Sequence, residues 1–265
     1  MGEANRRQKH RDMRASGQAC IYCGEPAVGI EHCPARILFV DKDRPAGWEF
    51  PACSSCNSGI SQLDQIFAFY VFASIQNPSD AQFKHFQKVR QGVGNNVPDV
   101  VMETRDGVIA PIHDPFELWR QEPQLYTAKL GPLVKASLEP MFDKLTVSAY
   151  YRTKGVRPPP TSGVWYRHFT NADILAGKLK DVPRWFGPLR PIEMGTKTTK
   201  YQFEFQEAFG EDGVAAFVFV FQRSIFVLSM LIPDREIAPK RSDESPAFRA
   251  LALTIPSALR RSTRT

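Results

Sequence analysis

Two short cysteine pairs, Cys20-Ile-Tyr-Cys23 and Cys53-Ser-Ser-Cys56, constrain this chain of 265 residues more than any other feature. A CxxC spacing folds as a tight turn with both sulfurs on one side, and two such turns facing each other build a tetrahedral zinc site. Residues 24–52 separate the pairs, which exceeds a short zinc ribbon and requires further structure between them. Disulfides are disfavoured in a reducing cytosol, and a thioredoxin-like redox pair needs one CxxC beside a βαβ pattern that is absent here. The expected centre is therefore one structural zinc on Cys20, Cys23, Cys53 and Cys56, with four thiolates filling the shell and no position left for water.

The interval carries its own chemistry. Glu31-His32-Cys33-Pro34 follows the first pair, then Leu38-Phe39, a polar stretch through Asp41, Asp43 and Pro45, and Trp48-Glu49-Phe50-Pro51-Ala52 leading into the second pair. From Cys56 onward the pattern is helical: Ile60, Leu63, Phe67 and Tyr70 share one face, and Asn57, Ser61 and Asp64 share another. Glu31, Asn57 and Asp64 offer oxygens suited to a hard divalent cation such as magnesium or manganese. A histidine beside a phosphodiester can take a proton from water near neutral pH, which makes His32 the candidate general base. Cys33 reads as a buried apolar side chain, and His10, His85, His113 and His168 as ordinary surface or core residues.

The elements CIYCG, EHCPARILF and PACSSCNSGISQLD resemble an HNH-type endonuclease module with a zinc-knuckle scaffold, in a bacterial branch with an EHxPxxxLF stretch followed by PACxxCNxxxSxxD. The resemblance implies a ββα-metal fold with His32 as general base and Glu31 as a ligand of the catalytic cation. It further implies Asn57 as a cation ligand from the helix and Asp64 as an additional ligand or orienting group. Many HNH modules also carry an asparagine before the second knuckle that orients the histidine. This chain has Trp48, Glu49 and Phe50 there, so Glu49 or a backbone carbonyl would take that part.

The net charge of +6 lies at the ends: residues 1–20 hold five Arg/Lys against two acids, and residues 235–265 hold seven against three. Basic tails suit a polyanion such as nucleic acid, with DNA the expected partner; solubility alone is the bland alternative. No leader segment is visible, and Val214–Ile232, the one long apolar stretch, is interrupted by Gln222 and Arg223 and reads as two buried strands. The expectation is a cytoplasmic protein with no membrane partner.

The remaining elements follow from local signals. Asn77-Pro78-Ser79-Asp80 ends one helix and caps the next, which is expected over Ala81–Gln91 before a loop at Gly92–Pro98. Val100–Thr104 and Val108–Ile112 flank Asp106-Gly107 as a hairpin, Tyr126–Tyr151 reads as a helix kinked or broken by its prolines, and residues 201–209, 214–221 and 225–232 read as antiparallel strands. A short helix is expected over Pro246–Leu253. The fold class is α+β: a basic tail (1–15), an HNH-like zinc-knuckle module (16–76), a helix-plus-antiparallel-sheet domain (77–234) and a basic C-terminal tail (235–265). Two functions follow: a metal-dependent endonuclease hydrolysing DNA phosphodiesters, or a non-catalytic zinc-stabilised nucleic-acid-binding protein with a degenerate site. The absent asparagine favours the second, and the intact Glu31-His32 with Asn57 and Asp64 the first.

Overall fold

The computed structural model describes residues 16–42, 44–57, 61–106, 108–111, 126–128, 130–171, 173, 190–191, 202–210, 213–234 and 249–250, together with residues 8, 11 and 12. Strand β1 (Gly29–His32) pairs antiparallel with β2 (Glu49–Ala52), placing Glu31 opposite Phe50 and His32 opposite Glu49. The Ile21 amide donates to the Pro51 carbonyl (3.1 Å) and the Val28 amide to Ala52 (3.0 Å), so the first cysteine turn hangs on the same ladder that leads into the second. Helix α1 (Ser54–Asn57) is one turn long, and α2 (Ser61–Ala73) buries nearly its whole surface. Next come α3 (Asp80–Asn96), α4 (Pro98–Asp106), β3 (Val108–Pro111) paired with β4 (Tyr126–Ala128), and the long α5 (Pro132–Lys154).

The second half supplies an antiparallel sheet. Strands β5 (Gly163–Thr170), β6 (Arg190–Pro191), β7 (Phe203–Phe209), β8 (Ala215–Phe221), β9 (Ile225–Ile232) and β10 (Arg249–Ala250) lie in the order β10-β5-β9-β8-β7-β6. The two most apolar strands, β8 and β9, are central, as their hydrophobicity on both faces requires. Gln222 and Arg223 form the turn between them, both at φ 50°. The strain is offset by fixed partners: Ser224 N–H closes the turn on Phe221 (2.8 Å), and Gln222 Nε2 donates to Leu38 O (2.9 Å) and Gln202 Oε1 (3.1 Å). No helix among the described residues is long and apolar enough to cross a membrane.

One core cluster runs from Cys20 to Leu231. Trp48, beside β2, packs edge-on against Phe203 (5.3 Å) and Phe205 (5.0 Å) of β7, and Phe67 of α2 does the same against Phe142 of α5 (5.9 Å) and Phe221 of β8 (5.1 Å). The cysteine-pair region, the helices and the sheet therefore share an interior rather than touching at an outer surface.

Four local expectations are corrected. Gly92–Asn96 continues α3, because Val89, Val93 and Val97 keep a four-residue buried spacing that outweighs two glycines. Val100–Thr104 is helical: Pro98 starts α4 at a position that needs no amide, and Thr104 Oγ1 bonds back to Val100 O (2.7 Å). Tyr126–Ala128 is a strand, and α5 begins at Pro132 and runs through Pro140. Arg249–Ala250 extends the sheet beside Gly163–Val164 instead of forming a helix. The remainder of the two basic tails, with His10 and His113, lies outside the described residues.

Helix α5 has no capping side chain of its own at Gly131. Glu103 of α4 supplies one, accepting the Leu133 amide (3.0 Å) and the Val134 amide (2.9 Å). A Cβ on Gly131 would lie 2.2 Å from the Glu103 carboxyl carbon, so glycine is what admits this approach. A carboxylate on a helix N-terminus satisfies orphan amides and complements the dipole. Glu103→Ala is expected to cost about 1–2 kcal/mol in denaturant melts. An unchanged midpoint would show that the cap is dispensable.

Candidate functional site

The four sulfurs of Cys20, Cys23, Cys53 and Cys56 all lie within 4.8 Å of one another, with Cys23 and Cys53 at 3.5 Å. Zinc–thiolate bonds of about 2.3 Å in a tetrahedron place sulfurs about 3.8 Å apart, so the four can hold a metal such as zinc. None is in a disulfide. Local folding explains the convergence. Gly24, at φ 87°, turns the chain so that its amide reaches Cys20 O (2.9 Å), while Asn57 N–H closes the second turn on Cys53 O (3.1 Å). A hydrogen bond from Cys56, opposed by burial and aided by backbone amides, brings the Cys20 thiol down to about 4, and the same contact raises Cys56. One thiol thus ionises at its neighbour's expense, and thiolate is the form that ligates metal. Cys33 stands apart, fully buried, with burial pushing its thiol up to about 12.

A second cluster lies beneath β1. Lys144 of α5, completely buried, sets its ammonium 2.6 Å from Glu31 Oε1 and 2.9 Å from Asp64 Oδ1, with Asp64 Oδ2 at 3.2 Å. Burial raises Glu31 to about 7, the neighbouring Asp64 charge adding to the effect and Lys144 opposing it; Asp64 is raised for the same first reason. Burial works against the Lys144 ammonium, but the two carboxylates more than offset it and its pKa is raised. Two carboxylates around one ammonium leave a surplus negative charge in a dry place, and a proton near neutrality relieves it.

Of the residues proposed for a catalytic cation, Glu31 and Asp64 do meet, and they meet on Lys144. Asn57 instead donates its side-chain amide to the Ile30 carbonyl (3.3 Å), tying α1 to β1. His32 is half-buried on the strand face opposite Glu31, where Arg44 donates to its Nδ1 and also to Glu49. Arg44 thus bridges His32 to Glu49, the side chain expected to orient the histidine. His85 bonds Ile37 O (2.8 Å) on the core side of α3, and His168 packs on Phe142 (5.4 Å), its pKa lowered by burial. Sequence reasoning missed Lys144. The signal available was a lysine set among Met141, Phe142, Leu145 and Val147, where an unpartnered cation cannot be buried.

No protein-family model matches this chain, and neither the curated proteins nor the solved structures include a significant match to it.

Two outcomes are expected. Purified protein should contain one zinc per chain, lost together with its thermal midpoint in Cys56→Ser; cysteines recovered as oxidised pairs would overturn this. For Glu31 the folded pKa is raised, so its contribution is full below the unfolded carboxylate pKa and is lost as pH rises through about 7. Glu31→Gln should therefore gain on wild type between pH 5 and pH 8, by up to about 3 kcal/mol. Parallel stability curves over that window would exclude the titration.

Proposed function

We propose that this chain is a zinc-stapled nucleic-acid-binding protein built on an HNH-like module, with its cation site given over to Lys144. The observation that carries the reading is the Lys144 ammonium held between Glu31 and Asp64. A hard divalent cation wants several oxygens and usually retains water, whereas Glu31 is buried, Asp64 nearly so, and a tethered ammonium already stands between them. His32, on the other strand face, has Nδ1 engaged by Arg44. The four cysteines supply a structural zinc in which every coordination position is protein sulfur. The net charge of +6 and pI near 9.1 suit a polyanionic partner, DNA in the first instance.

The metal-dependent nuclease is the competing outcome of one experiment. Wild type and His32→Ala are compared for plasmid nicking in magnesium or manganese and for duplex binding across a salt series. The binding reading expects no metal-dependent nicking by either, and an affinity that falls steeply with salt. A general base contributes about 10²- to 10⁴-fold. Wild-type nicking that His32→Ala abolishes would therefore replace this reading with the endonuclease.

A further inference from the structure

Helix α3 is backed on one side and bare on the other. Val89, Val93 and Val97 are buried behind it, His85 fixes it to Ile37 O (2.8 Å), Asn96 bonds Gln65 (2.9 Å), and Ser79 and Gln82 form a reciprocal capping box at its start. The opposite face carries Lys84, Gln87, Lys88, Gln91 and Asn95 at spacings of three and four, all exposed, with exposed Arg90 on its flank. From Ala81 to Asn96 the helix contains no carboxylate, and among the described residues no acid pairs with Lys84, Lys88 or Arg90. A solvated helix face ordinarily mixes both signs of charge. Beyond Asp80 at its start, this one offers cations and carboxamides, with exposed Phe83 on the flank beside Arg90, in a stripe about 16 Å long on a rigid support.

Resting on the nucleic-acid reading above, we infer that the exposed face of α3 is the surface that docks on duplex DNA. Lys84, Lys88 and Arg90 meet backbone phosphates, and Gln87, Gln91 and Asn95 stand where carboxamides can pair with base edges. The argument is charge complementarity joined to shape: a helix that is cationic and carboxylate-free beyond Asp80 at its first position fits a polyanion, and the major groove is wide enough to admit one helix. Carboxamides pair bidentately with adenine there, whereas lysine contacts to phosphate carry no sequence information.

The test is binding of a short labelled duplex by full-length, zinc-loaded protein over a salt series. The variants are the triple Lys84→Gln/Lys88→Gln/Arg90→Gln and the charge-reversed Lys84→Glu/Lys88→Glu. These side chains are exposed and pair with no acid among the described residues, so zinc content and thermal midpoint should match wild type. The triple variant should bind at least about tenfold more weakly, its log–log salt slope shallower by about 2 to 3, near 0.9 for each lost phosphate contact. Charge reversal should weaken binding further. If wild type binds DNA and both variants bind equally well with the same slope, the surface lies elsewhere and the nucleic-acid reading survives. If wild type binds no DNA, that reading falls and this surface with it. Tighter binding of a single-stranded probe would overturn the duplex assignment.

Discussion

The ammonium of Lys144 joins three parts of the chain that are distant in sequence. Its carrier α5 lies against α2, and its two partners come from β1 and from α2, so one side chain fixes a strand and two helices at hydrogen-bond distance. Removing such a charge from water costs several kcal/mol, and the attraction to its partners repays this only in good geometry. The gain lies in placement. α5 cannot slide or rotate by a residue without leaving an ammonium or two carboxylates alone in the core. The surplus carboxylate makes the arrangement sensitive to protons, with Glu31 poised near 7.

Around that point the rest of the molecule is arranged by aromatic contacts and by the sulfur cluster. The four cysteines confine the two turns, but the residues between them are not a self-sufficient unit. Leu38, Phe39 and Trp48 are fully or almost fully buried, and Phe39 and Trp48 close on Phe203 of the sheet. Gln222, from the turn between β8 and β9, holds the Leu38 carbonyl. The sheet therefore completes the interior of the cysteine-pair region, and the region covers one end of the sheet.

What could be read from the sequence was whatever rests on local rules. The two CxxC turns, the Ser79 cap and the paired central strands after residue 214 each follow from a few neighbouring residues. The errors arose where local and distant forces disagree. Val100-Val101 has strand-like composition, yet Pro98 and the burial of Val100 make it a helix. Gly92 and Gly94 resemble a loop, but the valines on either side anchor the helix through them. Lys144 was the hardest to place, because its partners lie at positions 31 and 64 and no spacing rule links them.

That same residue separates two chemistries that share a motif. A divalent cation between Glu31 and Asp64 would bring open positions for water and phosphate oxygens and lower the pKa of what it binds. An ammonium on a four-carbon stem brings three donors, a single charge and no exchangeable position, and here at least two of the donors go to the carboxylates themselves. It can hold the strand and helix together as a metal would, but it cannot activate water. On the proposed reading, the scaffold keeps the geometry that surrounds a cation while the cation has become part of the chain. The positive charge available to a partner is then on the surface, where Lys84, Lys88 and Arg90 stand in water without a paired acid among the described residues.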